Sequence, residues 1–235
     1  MKISYLPRIL MALALGLLLT SVSAFAKAKP RYPGGSASDK LCDDQSGQRG
    51  EICKTIVNVL MTDPEVMKNL EIARSSSIKG VEEFCPNYDA KKNDKSWAIE
   101  FYKNLVATII TTESNWNPKD VYTEKDGTKS KGLCQLTASS DRSKGGKCGQ
   151  LTDGNILDPK VNAECCVQMV MKYVAEDREI GSGKGKGARG IARSFGPFRD
   201  GRKERKDMAG RTASWCNGSG AGEWGRGVAG QPTLQ

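Results

Sequence analysis

The chain contains no histidine among its 235 residues, and that absence removes whole mechanisms. Ser-His-Asp and Cys-His nucleophilic catalysis, the HExxH metalloprotease arrangement and histidine-ligated metals are all excluded. Acid–base chemistry near neutral pH is left to carboxylate, tyrosine, lysine or thiol groups. The apolar run from Ile9 to Leu19 is too short for a comfortable membrane span, which takes about 20 residues. No tidy pair of CxxC motifs prepares a structural zinc site. The Gly/Lys stretch 181–190 lacks the spacing of a phosphate-binding loop. No RNP-like, helix-turn-helix or zinc-finger pattern accompanies the basic charge. The expectation is therefore no metal, no cofactor and no nucleic-acid partner.

What is present begins with a secretory pattern. Lys2 and Arg8 form a positive leader to the apolar run, and Ala24-Phe25-Ala26 supplies a small-x-small cleavage site. Residues 1–26 thus read as a signal peptide, with a mature, exported chain starting near Lys27 and no stable membrane insertion. Loss of Lys2 and Arg8 takes the formal charge from +9 to +7, a balance that draws a protein toward anionic surfaces such as cell wall. All eight cysteines lie beyond the leader. An even count in an exported chain points to disulfides and a periplasmic or secreted location. The pairing is open at this level, although adjacent Cys165 and Cys166 point in different directions on a helix and so favour separate partners.

Apolar spacing outlines the elements. Ile52, Ile56, Val57 and Leu60 recur with helical period over 48–61. Asp63-Pro64-Glu65 opens a second helix with an aspartate cap and a proline in the first turn. Residues 86–95 are polar and read as a loop. The strongest helix spans about 96–113, where Trp97, Phe101, Leu105, Thr108 and Ile109 make one face and Tyr102, Val106 and Ile110 widen it. Asp158-Pro159 starts another helix with Val161, Cys165, Val167, Val170, Met171 and Val174 on its buried face. The Gly/Lys stretch 181–190 reads as a flexible connector, and 188–195 as one more short helix. The chain beyond Arg199 reads as a basic, glycine-rich tail tied by Cys216. The fold class is mainly α, with a short β element and disulfide staples.

Glu113 closes the strongest helix, and Pro118 forbids its continuation. A carboxylate at a helix C-terminus is disfavoured by the helix dipole, and apolar neighbours add to that, so its pKa should be raised. Glu113-Ser114 is followed by Trp116-Asn117-Pro118, then by Gly132-Leu133-Cys134-Gln135-Leu136 and by Asn155-Ile156-Leu157-Asp158-Pro159-Lys160-Val161-Asn162. These ordered blocks, over about residues 97–198, resemble the catalytic core of soluble lytic transglycosylases and goose-type lysozymes. That family carries Glu-Ser, Gly-Leu-Met-Gln-Leu and Asn-Leu-x-Asp-Pro-x-x-Asn.

The resemblance implies a lysozyme-like fold and cleavage of the MurNAc–GlcNAc β-1,4 bond of peptidoglycan, by transglycosylation or hydrolysis and including modified glycan. Glu113 would be the single acid/base. Ser114, Ser130, Gln135 and Tyr173 are the candidate substrate-binding residues, with Tyr173 or Tyr122 filling the place of a family tyrosine. That tyrosine belongs to an Ala-x-x-Tyr-Asn-x-Gly segment, and here the corresponding stretch reads Ile191-Ala192-Arg193-Ser194-Phe195-Gly196-Pro197, without the Tyr-Asn pair. The loop between Glu113 and Gly132 is longer than is typical, and Asp126 within it is the candidate second acid, against the plainer reading of a solvated turn aspartate. Gln135 reads equally as a structural amide, Trp116 as core packing, and Cys134 lacks any histidine to make it a nucleophile.

The implied organisation is a signal peptide (1–26), a leader with accessory helices (27–95), a lysozyme-like core (96–200) and a basic tail (201–235). The partner would be the glycan strand of the wall, met by a monomer. The competing functions are a wall-binding protein that has lost activity and a secreted cysteine-rich interaction module.

Overall fold

The computed structural model describes Cys42 and residues 47–124 and 126–219. The signal-peptide reading and the last part of the tail lie outside the described residues. Helix α1 (Gly47–Thr62) buries Ile52, Ile56 and Leu60. Helix α2 (Pro64–Ser75) starts where expected: the Asp63 carboxylate accepts from the backbone N–H groups of Glu65 and Val66, satisfying donors that the first turn leaves free. Two single-turn helices follow, α3 (Val81–Phe84) and α4 (Tyr88–Lys91). The second lies within the stretch expected to be loop. Tyr88 anchors it, buried against Phe101 and Tyr102 and sharing a 2.9 Å hydroxyl–hydroxyl hydrogen bond with Tyr102.

Helix α5 (Lys95–Ser114) is the centre of the molecule. Asp94 caps it by accepting from Trp97 N–H, and every residue from Trp97 to Ile110 except Glu100 is buried. A helix apolar on nearly all sides must be surrounded. It is: α5 packs against α1, α2, α7 (Pro159–Asp177) and α8 (Lys203–Ser214). Between α5 and α7 a small antiparallel hairpin, β1 (Val121–Thr123) with β2 (Lys129–Lys131), pairs Tyr122 with Ser130. A one-turn helix, α6 (Ala138–Asp141), follows. The fold is mainly helical with short β elements, as the sequence indicates.

Four disulfides hold the described chain: Cys42–Cys53, Cys85–Cys216, Cys134–Cys166 and Cys148–Cys165. Cys165 and Cys166 do take separate partners. One bridge ties the one-turn α3 region to the end of α8, and two tie loops to α7.

Two elements depart from the sequence reading. Residues 181–190 are a two-strand hairpin, β3 (Gly181–Ser182) and β4 (Arg189–Gly190), rather than a free connector. Carboxylates hold it in place: Gly183 N–H donates to Asp200 and Gly190 N–H to Asp177. Residues 203–214, expected within the tail, form α8. Its buried members are Met208, Ala209, Thr212 and Ala213. Three of the four are small or polar, so the periodic apolar signal is faint.

Candidate active site

The backbone around Glu113 is fixed by the way α5 ends. Asn115 takes a left-handed conformation (φ 49°) and its N–H caps the Thr111 carbonyl, the usual manner of closing a helix. Trp116 is also left-handed (φ 66°). Its indole is buried and donates to Thr111 Oγ1 at 2.9 Å, so Trp116 is a core residue that locks the turn. Ser114 is buried and donates to the Ile110 carbonyl. Glu113 is thereby presented from the last turn of α5 into a cavity of about 1000 Å³.

That cavity is bounded by three segments. The first is the hairpin and its turn, with Tyr122, Glu124, Asp126 and Ser130; the second is Cys134 and Gln135; the third runs from Ser194 to Glu204. Burial pushes Glu113 up to about 7, the Glu124 charge adds to the rise, Arg199 opposes it and Glu204 adds a little. Ser130 Oγ donates to Glu124 Oε1 at 3.1 Å, which orients this second carboxylate. Asp126 lines the same cavity but is fully exposed. Its carboxylate accepts from both Thr128 N and Thr128 Oγ1, which holds its pKa down. Asp126 thus has the geometry of a turn aspartate, and the carboxylate acting on Glu113 is Glu124. The sequence reading passed over Glu124 although it sits in the same loop.

The loop after β2 is gripped from α7. Asn162 Nδ2 donates to the carbonyls of Lys131 and Ile156, and its Oδ1 accepts from Cys134 N–H at 2.9 Å. The Cys134–Cys166 disulfide adds a covalent tie at the same place. Gln135, left-handed at φ 50°, donates from Nε2 to the Gly132 carbonyl at 2.9 Å and to Asp120 Oδ2 at 3.2 Å. Its Oε1 is buried with no donor among the described residues. An unpaired buried acceptor costs about 1–3 kcal/mol, and a hydroxyl or amide of a bound molecule would satisfy it. Gln135 is structural through its nitrogen and open to a ligand through its oxygen.

Tyr173 is buried and does not line the cavity. It acts one step back, where its hydroxyl accepts from Ser194 Oγ at 3.0 Å and Arg193 stacks on its ring at 4.4 Å. Tyr122 faces the cavity instead, from the exposed hairpin. Arg199 and Glu204 also reach Glu113 electrostatically. Glu204 could not be placed from the sequence, because it belongs to the stretch read as a tail, and Arg199, at the end of the stretch read as core, lies in no motif that points it at Glu113.

Residues 91–179 match the family model of the Transglycosylase SLT domain. This stretch is similar to a transglycosylase SLT domain. It supplies Glu113, the hairpin and the gripping helix, while Ser194 to Glu204 complete the cavity from beyond its end. Solved structures share the fold of the SLT domain and its surroundings. The one described as Bd0314 DslA wild-type form 2 superposes with a TM-score of 0.59 at 20% identity, over 72% of this chain and 91% of that one. A glutamate-to-glutamine mutant of the same protein gives 0.60 at 20% identity over the same shares. No curated protein matches the chain.

The Glu113 shift makes a stability prediction. Below the ordinary carboxyl value of 4.5 the group is protonated in both folded and unfolded chains and contributes no pH dependence. As pH rises from 4.5 to about 7, the unfolded chain ionises there and the folded one resists, so folding stability falls through that window. Chemical denaturation across pH 4–8 should show this decline, and it should be smaller in E113Q.

Proposed function

We propose that the protein is an exported peptidoglycan glycosidase that cleaves the MurNAc–GlcNAc β-1,4 bond with Glu113 as acid/base. The observation that carries this reading is a half-buried glutamate raised to about 7 inside a large open cavity of an SLT domain. At neutral pH a useful fraction of Glu113 is protonated and can give its proton to the leaving glycosidic oxygen as oxocarbenium character develops at the anomeric carbon. The resulting carboxylate then takes a proton back. It comes from the 6-hydroxyl of the same muramyl residue, closing a 1,6-anhydro ring, or from a water that attacks in its place. The neighbouring hydroxyl needs no external nucleophile. Glu124 supports the developing positive charge, and its link to Ser130 holds it in position for this.

Two of the solved structures are glutamate-to-glutamine mutants at positions eleven apart, the separation of Glu113 and Glu124 in this sequence. That coincidence supports assigning the pair together. The cavity also carries more acids (Glu113, Asp120, Glu124, Asp126 and Glu204) than bases (Arg199 and Arg202). In a chain of formal charge +9 this local excess favours modified glycan with free amino groups over fully acetylated wall. Four disulfides suit a periplasmic or secreted site of action. Among the described residues no helix is long and apolar enough to cross a membrane.

Digestion of purified sacculi, with muropeptides weighed by mass spectrometry, is the test. Fragments ending in 1,6-anhydro rings mean transglycosylation, and reducing ends mean hydrolysis. No glycan fragments from either acetylated or deacetylated sacculi would reject the enzyme and leave the wall-binding reading. The kcat/KM profile should fall above about pH 7 as Glu113 ionises. Because the Glu124 charge raises Glu113, E124Q should move that alkaline limb to lower pH as well as slow the reaction.

A further inference from the structure

The large cavity does not end at Gln135. A second space of about 290 Å³ opens beside it and shares Ser130, Cys134, Gln135, Ser194 and Phe195 as common wall. Its remaining polar lining differs in sign from the acidic catalytic cavity. Lys144 and Arg193 enter it, with the hydroxyl groups of Thr137 and Ser140 between them.

The charges there are not equally free. Arg193 is held by Glu176 at 2.6 Å, lies 3.7 Å from Asp177 and stacks on Tyr173. Asp141, the one acid of the lining, faces inward to accept Thr137 N–H at 2.7 Å, and burial pushes its pKa up. Lys172 spends a donor on the Lys144 carbonyl. Lys144 itself forms no ion pair among the described residues; its ammonium is 5.9 Å from the Tyr173 ring centroid. The side space therefore presents a half-buried ammonium with no ion-pair partner among the described residues, its charge acting on the inward-turned Asp141, beside the hydroxyl oxygens of Thr137 and Ser140 and nine residues along the chain from Gln135.

We propose that this side space is an anion subsite, in which Lys144 takes a carboxylate carried on the lactyl arm of a muramyl residue lying in the catalytic cavity. The proposal rests on the glycosidase reading. The lactyl ether stands off the sugar ring and bears a negative charge in either of two forms: its own carboxylate where the peptide has been removed, or the carboxylates of the attached stem peptide. The two spaces share five lining residues, so an arm leaving a sugar in the glycan cavity at that wall lies next to the side space. A charge-assisted hydrogen bond from Lys144 then fixes which sugar sits over Glu113.

Lys144→Gln tests this on three substrates: peptide-bearing glycan, amidase-stripped strands with free lactyl carboxylates, and both after carbodiimide amidation with methylamine. KM should rise roughly ten-fold, as expected for one lost charged hydrogen bond, with kcat unchanged. A rise confined to stripped strands identifies the lactyl carboxylate, and one confined to peptide-bearing glycan identifies the stem. Lys144→Arg should keep most of the affinity. On amidated substrate the variant and wild type should match. Equal KM values on both charged substrates overturn the proposal, as does a rise that persists after amidation. If the wild type cleaves none of the three, the glycosidase reading fails by itself. The subsite is then judged by co-sedimentation with sacculi, where K144Q must lose retention on charged but not on amidated wall.

Discussion

E113Q should lower glycan cleavage about a thousand-fold, the middle of the range for losing a positioned general acid, while leaving binding to sacculi intact. Glutamine keeps the volume and the hydrogen-bonding shape of the side chain but has no proton to give. With no histidine in the chain, no imidazole is available to substitute. Glu124 and Asp126 are both exposed at the cavity's edge, and Asp126 is engaged by Thr128. The loss should therefore be similar on every glycan and should not be restored by changing pH. The same substitution removes a carboxylate that burial disfavours, so E113Q should melt at a higher temperature than the wild type at pH 7 and above. Wild-type turnover by a purified, folded E113Q would remove Glu113 from the mechanism. A variant that is inactive but also less stable at pH 7 would show that the raised pKa has been assigned to the wrong group.

Gly132→Ala should cost about 3 kcal/mol of stability, in which two effects combine. Gly132 has φ +79°, a left-handed conformation that costs an L-residue about 1–2 kcal/mol. An added Cβ would stand 2.4 Å from Asn162 Nδ2 and 2.9 Å from the Ile156 carbonyl oxygen, and overpacking of this kind typically costs about 1–3 kcal/mol. For a domain of this size the midpoint should drop by roughly 10 °C. Gly127→Ala is the natural comparison, because Gly127 has φ +83° but open space around its Cβ position. It should lose only the conformational part. Equal melting temperatures for the two variants would mean that Asn162 gives way freely and that the loop is not gripped as described. Catalysis should follow stability, since Asn162 moving away frees Cys134 N–H and the turn that aims Gln135.

Much of this site can be read along the chain because its parts are local. Asp63-Pro64 and Asp158-Pro159 are caps and first turns whose hydrogen bonds run to neighbours two or three residues on. Glu113 is placed by a helix end that Asn115 and Pro118 enforce within a few residues. The burial of Trp116 and the separate partners of Cys165 and Cys166 also follow from short-range geometry. The second carboxylate is different. Glu124 and Asp126 lie two residues apart in one polar loop, and composition does not rank them. The ranking depends on which one Thr128 occupies and which one Ser130 turns toward Glu113, and those contacts exist only once the hairpin register pairs Tyr122 with Ser130. Tyr173 illustrates the same limit in reverse: a tyrosine on a buried helix face has the right chemistry but stands behind Ser194.

The sequence by itself determined the helical class, the main helix starts and the cysteine-stapled character, and it pointed to Glu113 as the candidate acid in a histidine-free chain. Each of these depends on residue type and on spacing within a turn or two. Only the tertiary structure decided which cysteines meet, that the polar stretch 203–214 is a helix, and that Arg199 and Glu124 line one cavity while Lys144 lines a second that shares part of its wall. Those features depend on segments distant in the chain being brought together. Desolvation and Coulomb interaction act through space, so the value of about 7 at Glu113 belongs to the assembled site and not to the motif that contains it.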